Sequence, residues 1–296
     1  MNKKRITGYV LMIIATMIPL YLVVSMSVNL LSQAKKYDEF VKTYEEISYV
    51  KTKEIENKAK EYNNKLAGDN LAVDPWGVED YEVDYKISDN PDAVFAYVSV
   101  PSIDVSSPVY LGASRAHLIS GFAHVDGTSL PLGGKGTRSV IAGHRSTVFG
   151  RLDLLYANRI KEGDVLRLDL GNDILEYKMV SSEIIHPSEW EKLQPIEGKD
   201  MVTLITCDPF PTFENRLLVN FERTGSYKVG DQEKTGDAEE DRTKTVSKEI
   251  KEQRQEFFKT ERSDKGFKYI FFTLSILFTI LLIYLIFRLI KLVKNK

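Results

Sequence analysis

Two long apolar runs bracket this chain, and they constrain its architecture more than any other feature. From Ile6 to Ala34, in ITGYVLMIIATMIPLYLVVSMSVNLLSQA, there is no charged residue. That exceeds the roughly 20 apolar residues needed to cross a bilayer. A second run, YIFFTLSILFTILLIYLIF, covers Tyr269 to Phe287. Between them the composition is polar and globular. The expected layout is a cytoplasmic N-terminus (1–5), a transmembrane anchor (6–34), a soluble middle, a transmembrane helix (269–287) and a basic cytoplasmic tail (288–296). A cleaved signal peptide is the alternative for the first run, given Ser25, Ser27, Ser32 and Ala34 near its end. Its apolar stretch is longer than the usual signal core of about 7–15 residues, which favours a retained anchor. A buried core helix is the alternative for the second run; its length and basic flank argue against that.

Orientation follows from the basic residues beside the runs. Lys3, Lys4 and Arg5 precede the first, and Arg288, Lys291, Lys294 and Lys296 follow the second. The positive-inside rule places both termini in the cytoplasm and the middle on the outer side. Lys35, Lys36, Lys265 and Lys268 on the outer flanks oppose this weakly. The net charge of −2 supplies no field that would recruit nucleic acid, and no such partner is expected.

Within the middle, residues 35–67 carry Phe40, Tyr44, Ile47, Ile55 and Ala59 at helical spacing, so one or two helices leave the membrane. Residues 68–92 form a loop broken by Gly68, Pro75 and Gly77. In it, Asp74-Pro75-Trp76 sets a large aromatic among acidic residues. Residues 93–223 change texture to short β-rich runs: AVFAYVSVP, DVSSPVYLG, SVIAGH, DVLRLDLG, ILEYKMVSSEII, MVTLITC and RLLVNFER. Such a series predicts a mainly β domain, a closed antiparallel or mixed barrel, with short helices in HLISGFAH and FGRLDLLYAN. Residues 224–268 are charge-dense and read as a linker with partial helix near 246–258.

Cys207 is the only cysteine, so it cannot form a disulfide within the chain. It ends the run VTLITC, where a strand would hold a thiol rigidly at the mouth of a loop. A thiolate nucleophile needs a nearby base or cation. His144, in SVIAGH, also ends a β-rich run. Arg216, in ENRLLVNF, opens the strand that follows Cys207, and a hairpin would return it beside the thiol, where a guanidinium can stabilise an oxyanion. Each has an ordinary structural alternative: a buried small hydrophobe for Cys207, a packed or surface histidine, a strand-end salt bridge for Arg216. His117 and His124 read as capping or packing residues, and His186, before Pro187, reads as a turn. No HExxH or paired-cysteine spacing suggests a metal site.

These residues carry a resemblance. TLITC, with Arg216 nine residues on and His144 upstream, resembles the sortase family, whose motif is TLxTC with a following arginine and an upstream histidine. GTSLPLGGKGTRSVIAGH, GHRSTVFGRLDLL and FENRLLVNFER resemble the surrounding regions, so the likeness covers about Ala93 to Arg223. Asp74-Pro75-Trp76 resembles the lid motif of class C sortases, the pilin polymerases, which also share a C-terminal span. The resemblance implies a sortase-type closed β-barrel with an N-terminal helical and lid segment and a transmembrane helix at each end. It implies that Cys207 attacks the Thr carbonyl of an LPxTG-like sorting signal to form a thioester. His144 then serves as acid and base, and Arg216 holds the signal or the oxyanion. The implied partners are pilin subunits bearing such signals, with a pilin lysine amine as acceptor; no cofactor is implied. The lid would work by Asp74 pairing with Arg216 and Trp76 covering Cys207. One departure is Asp208-Pro209-Phe210, where class C members often have a small polar residue, Pro and Tyr; an acid beside the nucleophile is expected to disfavour the thiolate. The remaining alternatives are a housekeeping sortase that anchors proteins to the wall, another cysteine peptidase or wall transpeptidase, and a non-catalytic membrane-tethered scaffold.

Overall fold

The computed structural model describes residues 2–46, 49–66, 72, 74–77, 86–145, 154–209, 211–228 and 265–294. Two compact units result. One comprises 1–34, 147–151 and 264–296, and the other 35–146 and 152–263.

The first unit contains the apolar part of helix α1 (Asn2–Glu46) and helix α4 (Lys265–Lys294). Both are long and apolar enough to cross a membrane, with mean hydropathy 2.2 over Lys3–Val28 and 2.7 over Ile270–Lys294. Leu11, Ile18, Ile283 and Phe287 are left exposed, which water penalises and lipid does not. Ser27 Oγ lies 3.2 Å from Ser275 Oγ, a polar contact between two otherwise apolar helices. Helix α1 runs unbroken to Glu46, because no Gly or Pro occurs after Pro19 to stop it, and the two units divide within it between Ala34 and Lys35. A second helix, α2 (Tyr49–Lys65), follows.

The second unit is built on eight strands: β1 (Val94–Val100), β2 (Val105–Tyr110), β3 (Phe122–His124), β4 (Thr137–Ala142), β5 (Val165–Asp169), β6 (Asp173–Ile185), β7 (Asp200–Asp208) and β8 (Asn215–Lys228). They close into a barrel in the order β1-β2-β3-β4-β7-β8-β6-β5. The pairs β2·β3 and β4·β7 are parallel and the rest antiparallel. One buried cluster, including Val98, Val109, Leu166, Leu168, Val202, Leu204, Val219 and Phe221, forms the main core. Each such fully buried side chain stabilises the fold by about 1.5–3 kcal/mol. A second cluster, including Val140, Ala142, Ile185, Leu193, Ile205 and Leu218, lies on the other face of the same strands, as the period of two requires.

Helix residues 35–46 and 49–65 carry side chains that dock on this barrel. Phe40 and Val41 pack against Tyr97, and the Tyr37 hydroxyl donates to Asp169 Oδ2 at 3.1 Å. From α2, Ala59 is buried in the main core, and Asn63 brackets Leu130 with two hydrogen bonds to its backbone.

Two details differ from the sequence reading. HLISGFAH holds a helix, α3 (Arg115–Ser120), but also strand β3, which the sequence reading missed. Three residues are too few for an alternation signal. Gly121 makes the junction: a Cβ there would lie 2.5 Å from the Pro108 carbonyl oxygen, so only glycine lets the chain pass from α3 into the sheet. The barrel also continues past Arg223, since β8 runs to Lys228 and pairs with the start of β6. The polar GSYK stretch lies on a partly exposed strand end, so its composition reads as linker. The helix expected near 246–258, and residues 146–153, which include half of FGRLDLLYAN, lie outside the described residues.

Candidate active site

Strand register assembles the site. The parallel pairing of β4 with β7 runs from Thr137↔Asp200 to Ala142↔Ile205. The Gly143 N–H continues the ladder by donating to the Ile205 carbonyl at 3.1 Å. Carried one residue further, this register sets His144 level with Cys207. The antiparallel pairing of β7 with β8 then places Cys207 directly opposite Arg216. Three separated segments thus deliver His144, Cys207 and Arg216 to one row. By alternation, Cys207 and Arg216 share the face of Ile205 and Leu218, the second apolar cluster. Gly143 is required for this approach. A Cβ on it would stand 2.6 Å from the buried Phe122 ring and 2.8 Å from Leu154 Cδ1.

The segment with Asp74, Pro75 and Trp76 closes over that row. Asp, Pro and Gly at the first, second and fourth positions suit a β-turn, and the Gly77 N–H donates to the Asp74 carbonyl at 3.1 Å. The Trp76 N–H also donates to Asp74 Oδ1 at 3.2 Å, an Asx turn that fixes the carboxylate. That carboxylate accepts from Arg216 Nη2 at 2.9 Å and Nε at 3.4 Å, in a largely buried ion pair. Arg216 Nη1 is held by the carbonyls of Phe213 and Asn215, at 3.2 and 3.0 Å. The Trp76 ring lies 5.0 Å under the Arg216 guanidinium and 6.4 Å from the His144 ring. Pro75 is buried, and Trp76 and Trp190 each pack on the second cluster.

A sortase-domain family model matches residues 98–224. Among solved structures, sortase C-3 of Streptococcus pneumoniae is 47% identical with a TM-score of 0.63, covering 73% of this chain and 98% of that one. The chain belongs to the sortase family. A second solved sortase C of S. pneumoniae, described in connection with pilin substrate specificity, is 28% identical at TM-score 0.58, covering 65% of this chain and 97% of that one. Sortase A of Staphylococcus aureus is 29% identical over 120 residues, 40% of this chain and 56% of the relative. The match spans little more than half the length of the curated relatives.

In this sortase the Cys207 thiol is pushed up to about 11. Burial is the main cause, the Asp74 carboxylate adds to it, and the Arg216 and Arg145 guanidiniums pull the other way without prevailing. The closed arrangement therefore keeps the thiol protonated at neutral pH. The acid expected to disfavour the thiolate was Asp208, but that role falls to Asp74. Asp208 is instead ion-paired with Arg145, whose Nη1 also donates to the Cys207 carbonyl at 3.3 Å. Sequence reasoning missed Arg145. Its position directly after His144, matching that of Asp208 after Cys207, was the available signal, but the strand register is needed to read it.

The other histidines have structural partners. His117 bonds the Gly112 carbonyl at 2.7 Å and Asp92 at 3.0 Å and stacks on Tyr110. His124 is fully buried against the Thr128 and Ser129 carbonyls, and burial pushes its pKa down to about 4. His186 sits in an exposed turn with Ser188 and Glu189.

A second arginine missed by sequence reasoning forms the floor further down the same face. Arg138 is buried and donates to Thr203 Oγ1 at 2.9 Å, Asn220 Oδ1 at 2.7 Å, and the carbonyls of Lys192 and Gln194 at 2.5 and 3.3 Å. It thereby fixes the 3₁₀ turn Trp190–Leu193, which sets Leu193 and Trp190 against the second cluster.

Proposed function

We propose that this sortase is a membrane-anchored cysteine transpeptidase that joins pilin subunits, with Cys207 as nucleophile, His144 as acid and base, and Arg216 as the oxyanion or signal-holding group. The observation that carries the reading is the row of His144, Cys207 and Arg216 beneath a turn whose carboxylate engages Arg216. The likeness to class C sortases supports pilins bearing LPxTG-like signals as the substrates.

The Cys207 thiolate attacks the Thr carbonyl of the signal, and Arg216 stabilises the developing oxyanion. The tetrahedral species collapses to a thioester as the Thr–Gly C–N bond breaks, and the His144 imidazolium gives its proton to the leaving amine. A pilin lysine amine, deprotonated by His144, then attacks the thioester. The C–S bond breaks, an isopeptide bond forms, and the thiolate returns.

Asp74, Pro75 and Trp76 act as the lid. While Asp74 holds Arg216, that guanidinium cannot serve an oxyanion, and burial with the Asp74 charge keeps Cys207 protonated. Opening removes both effects together. The basic flanks of the two apolar helices support cytoplasmic termini, with the barrel on the outer side of the cell membrane.

The test of the lid is iodoacetamide alkylation of Cys207 in the detergent-solubilised full chain, followed by intact mass. Asp74→Ala with Trp76→Ala is expected to accelerate alkylation about tenfold or more at pH 7. An unchanged rate would overturn the lid reading.

A further inference from the structure

The β4 side of the β4·β7 ladder ends just before the site, while β7 runs on through Cys207 to Asp208. β4 stops at Ala142, and the last ladder bond toward β7 among the described residues is Gly143 N–H to the Ile205 carbonyl. Beyond it, His144 and Cys207 sit on two chain segments that must keep a fixed spacing for proton transfer. The described residues join those segments through Arg145. Its guanidinium pairs with Asp208 and donates through Nη1 to the carbonyl of Cys207 itself, at 3.3 Å. Both side chains are largely buried, at 8% and 13% exposure. Neither partner can therefore leave for water without stranding the other's charge.

We infer that the Arg145–Asp208 ion pair is a positioning device that ties the segment after His144 to the segment after Cys207 and keeps the Arg145 charge on Asp208 rather than on the thiolate. This rests on the reading of Cys207 as nucleophile and His144 as its base. Arg145 directly follows the base and Asp208 directly follows the nucleophile, so the tie acts one residue from each reacting group. The second part follows from the charges around the sulfur. Asp74 faces it from the lid turn, Arg216 from β8, and His144 and Arg145 from the segment after β4, with Asp208 adjoining on its own strand. Arg145 draws the thiol toward ionisation. An acid clamped to that arginine limits the pull, and Arg216, freed by lid opening, remains as the cation for the reaction. Asp208 is then a partner of Arg145, which gives a physical role to the residue that departs from the small polar one common in class C.

The test uses the full chain in detergent on the Asp74→Ala, Trp76→Ala background, so that the lid does not mask the result. Three variants are compared: Asp208→Asn, Arg145→Met, and the two combined. Cys207 alkylation is followed against pH, and turnover of an LPxTG-like peptide with an amine acceptor is measured as kcat and KM. Asp208→Asn removes a negative charge and is expected to move the alkylation profile to lower pH. Arg145→Met removes a positive charge and is expected to move it to higher pH. The double variant removes both charges and is expected to restore the parent profile within about twofold, yet lower kcat about tenfold with KM unchanged, because the tie is gone. Arg145→Lys, which keeps the charge, is expected to recover part of kcat, and thermal melts check that each variant is folded. If Arg145→Met does not fold, Asp208→Asn and Arg145→Lys carry the same comparison. Single variants with the parent alkylation profile, or a double variant with the parent kcat, would overturn the inference. A Cys207→Ala chain that still turned over peptide would instead overturn the nucleophile reading beneath it.

Discussion

At Cys207, burial and one carboxylate outweigh two guanidiniums, and the thiol stays protonated. The same balance in reverse governs His124, which is fully buried and held neutral, its pKa pushed down from 6.5 to about 4. The unfolded chain takes up a proton at this histidine below pH 6.5, while the folded chain resists until about pH 4. Stability from this group is therefore fully present above pH 6.5 and is lost as the pH falls toward 4. A shift of this size is worth about 3 kcal/mol. Urea denaturation at pH 7 and pH 4.5 is expected to show a smaller loss for His124→Gln than for the wild type; equal losses would contradict it. Cys207, His144 and Arg216 were legible as residues because each stands where a β-rich run begins or ends. Arg138 was not, since one arginine in TRSVIA reads as a solvent-facing strand residue. Only the folded sheet shows Thr203 and Asn220 waiting across two strands. Arg138→Met is expected to cost about 2–4 kcal/mol in chemical denaturation, because it removes the charged donor from two carbonyls and leaves Thr203 Oγ1 and Asn220 Oδ1 with only each other. A change under about 0.5 kcal/mol would contradict the clamp.

The elements differ in how plainly the sequence announced them. Strands β1, β2 and β4–β8 each have at least five residues, which is enough for a β-rich run bounded by turn residues to show. Strand β3 has three residues and exists because Gly121 and Gly143 let neighbouring backbone and the Phe122 ring come close. Such proximity leaves no mark beyond a glycine. The end of β4 is the sharpest case, because Gly143 decides where His144 stands. Gly143→Ala must displace Phe122 or the strand end, and is expected to cost about 1–3 kcal/mol of stability. It is also expected to slow acylation of Cys207, measured by quenched-flow mass spectrometry on the folded variant. An unaltered acylation rate would contradict the role proposed for the placement of His144. The turn at Asp74-Pro75-Trp76 was visible in the sequence, but its grip on Arg216 depends on the Asx turn that aims the carboxylate.

For the whole molecule, the two apolar helices and the barrel were both readable from composition and periodicity, while the unbroken length of α1 was not. Flanking charges carry the proposed topology. A fluorescent protein fused after Lys296 is expected to glow, since it would mature in the cytoplasm, and an alkaline phosphatase fused there is expected to be inactive. The opposite pair of results would invert the topology. The central claim is that Cys207 forms an acyl-enzyme with a sorting signal. It is tested most directly by mixing the full chain, carrying Asp74→Ala and Trp76→Ala, with an LPxTG-like peptide and measuring its intact mass. The account predicts an added mass equal to the peptide up to its threonine, located on Cys207 and lost when an amine acceptor is supplied. No adduct on the lid-open chain, with Cys207 still open to iodoacetamide, would contradict it.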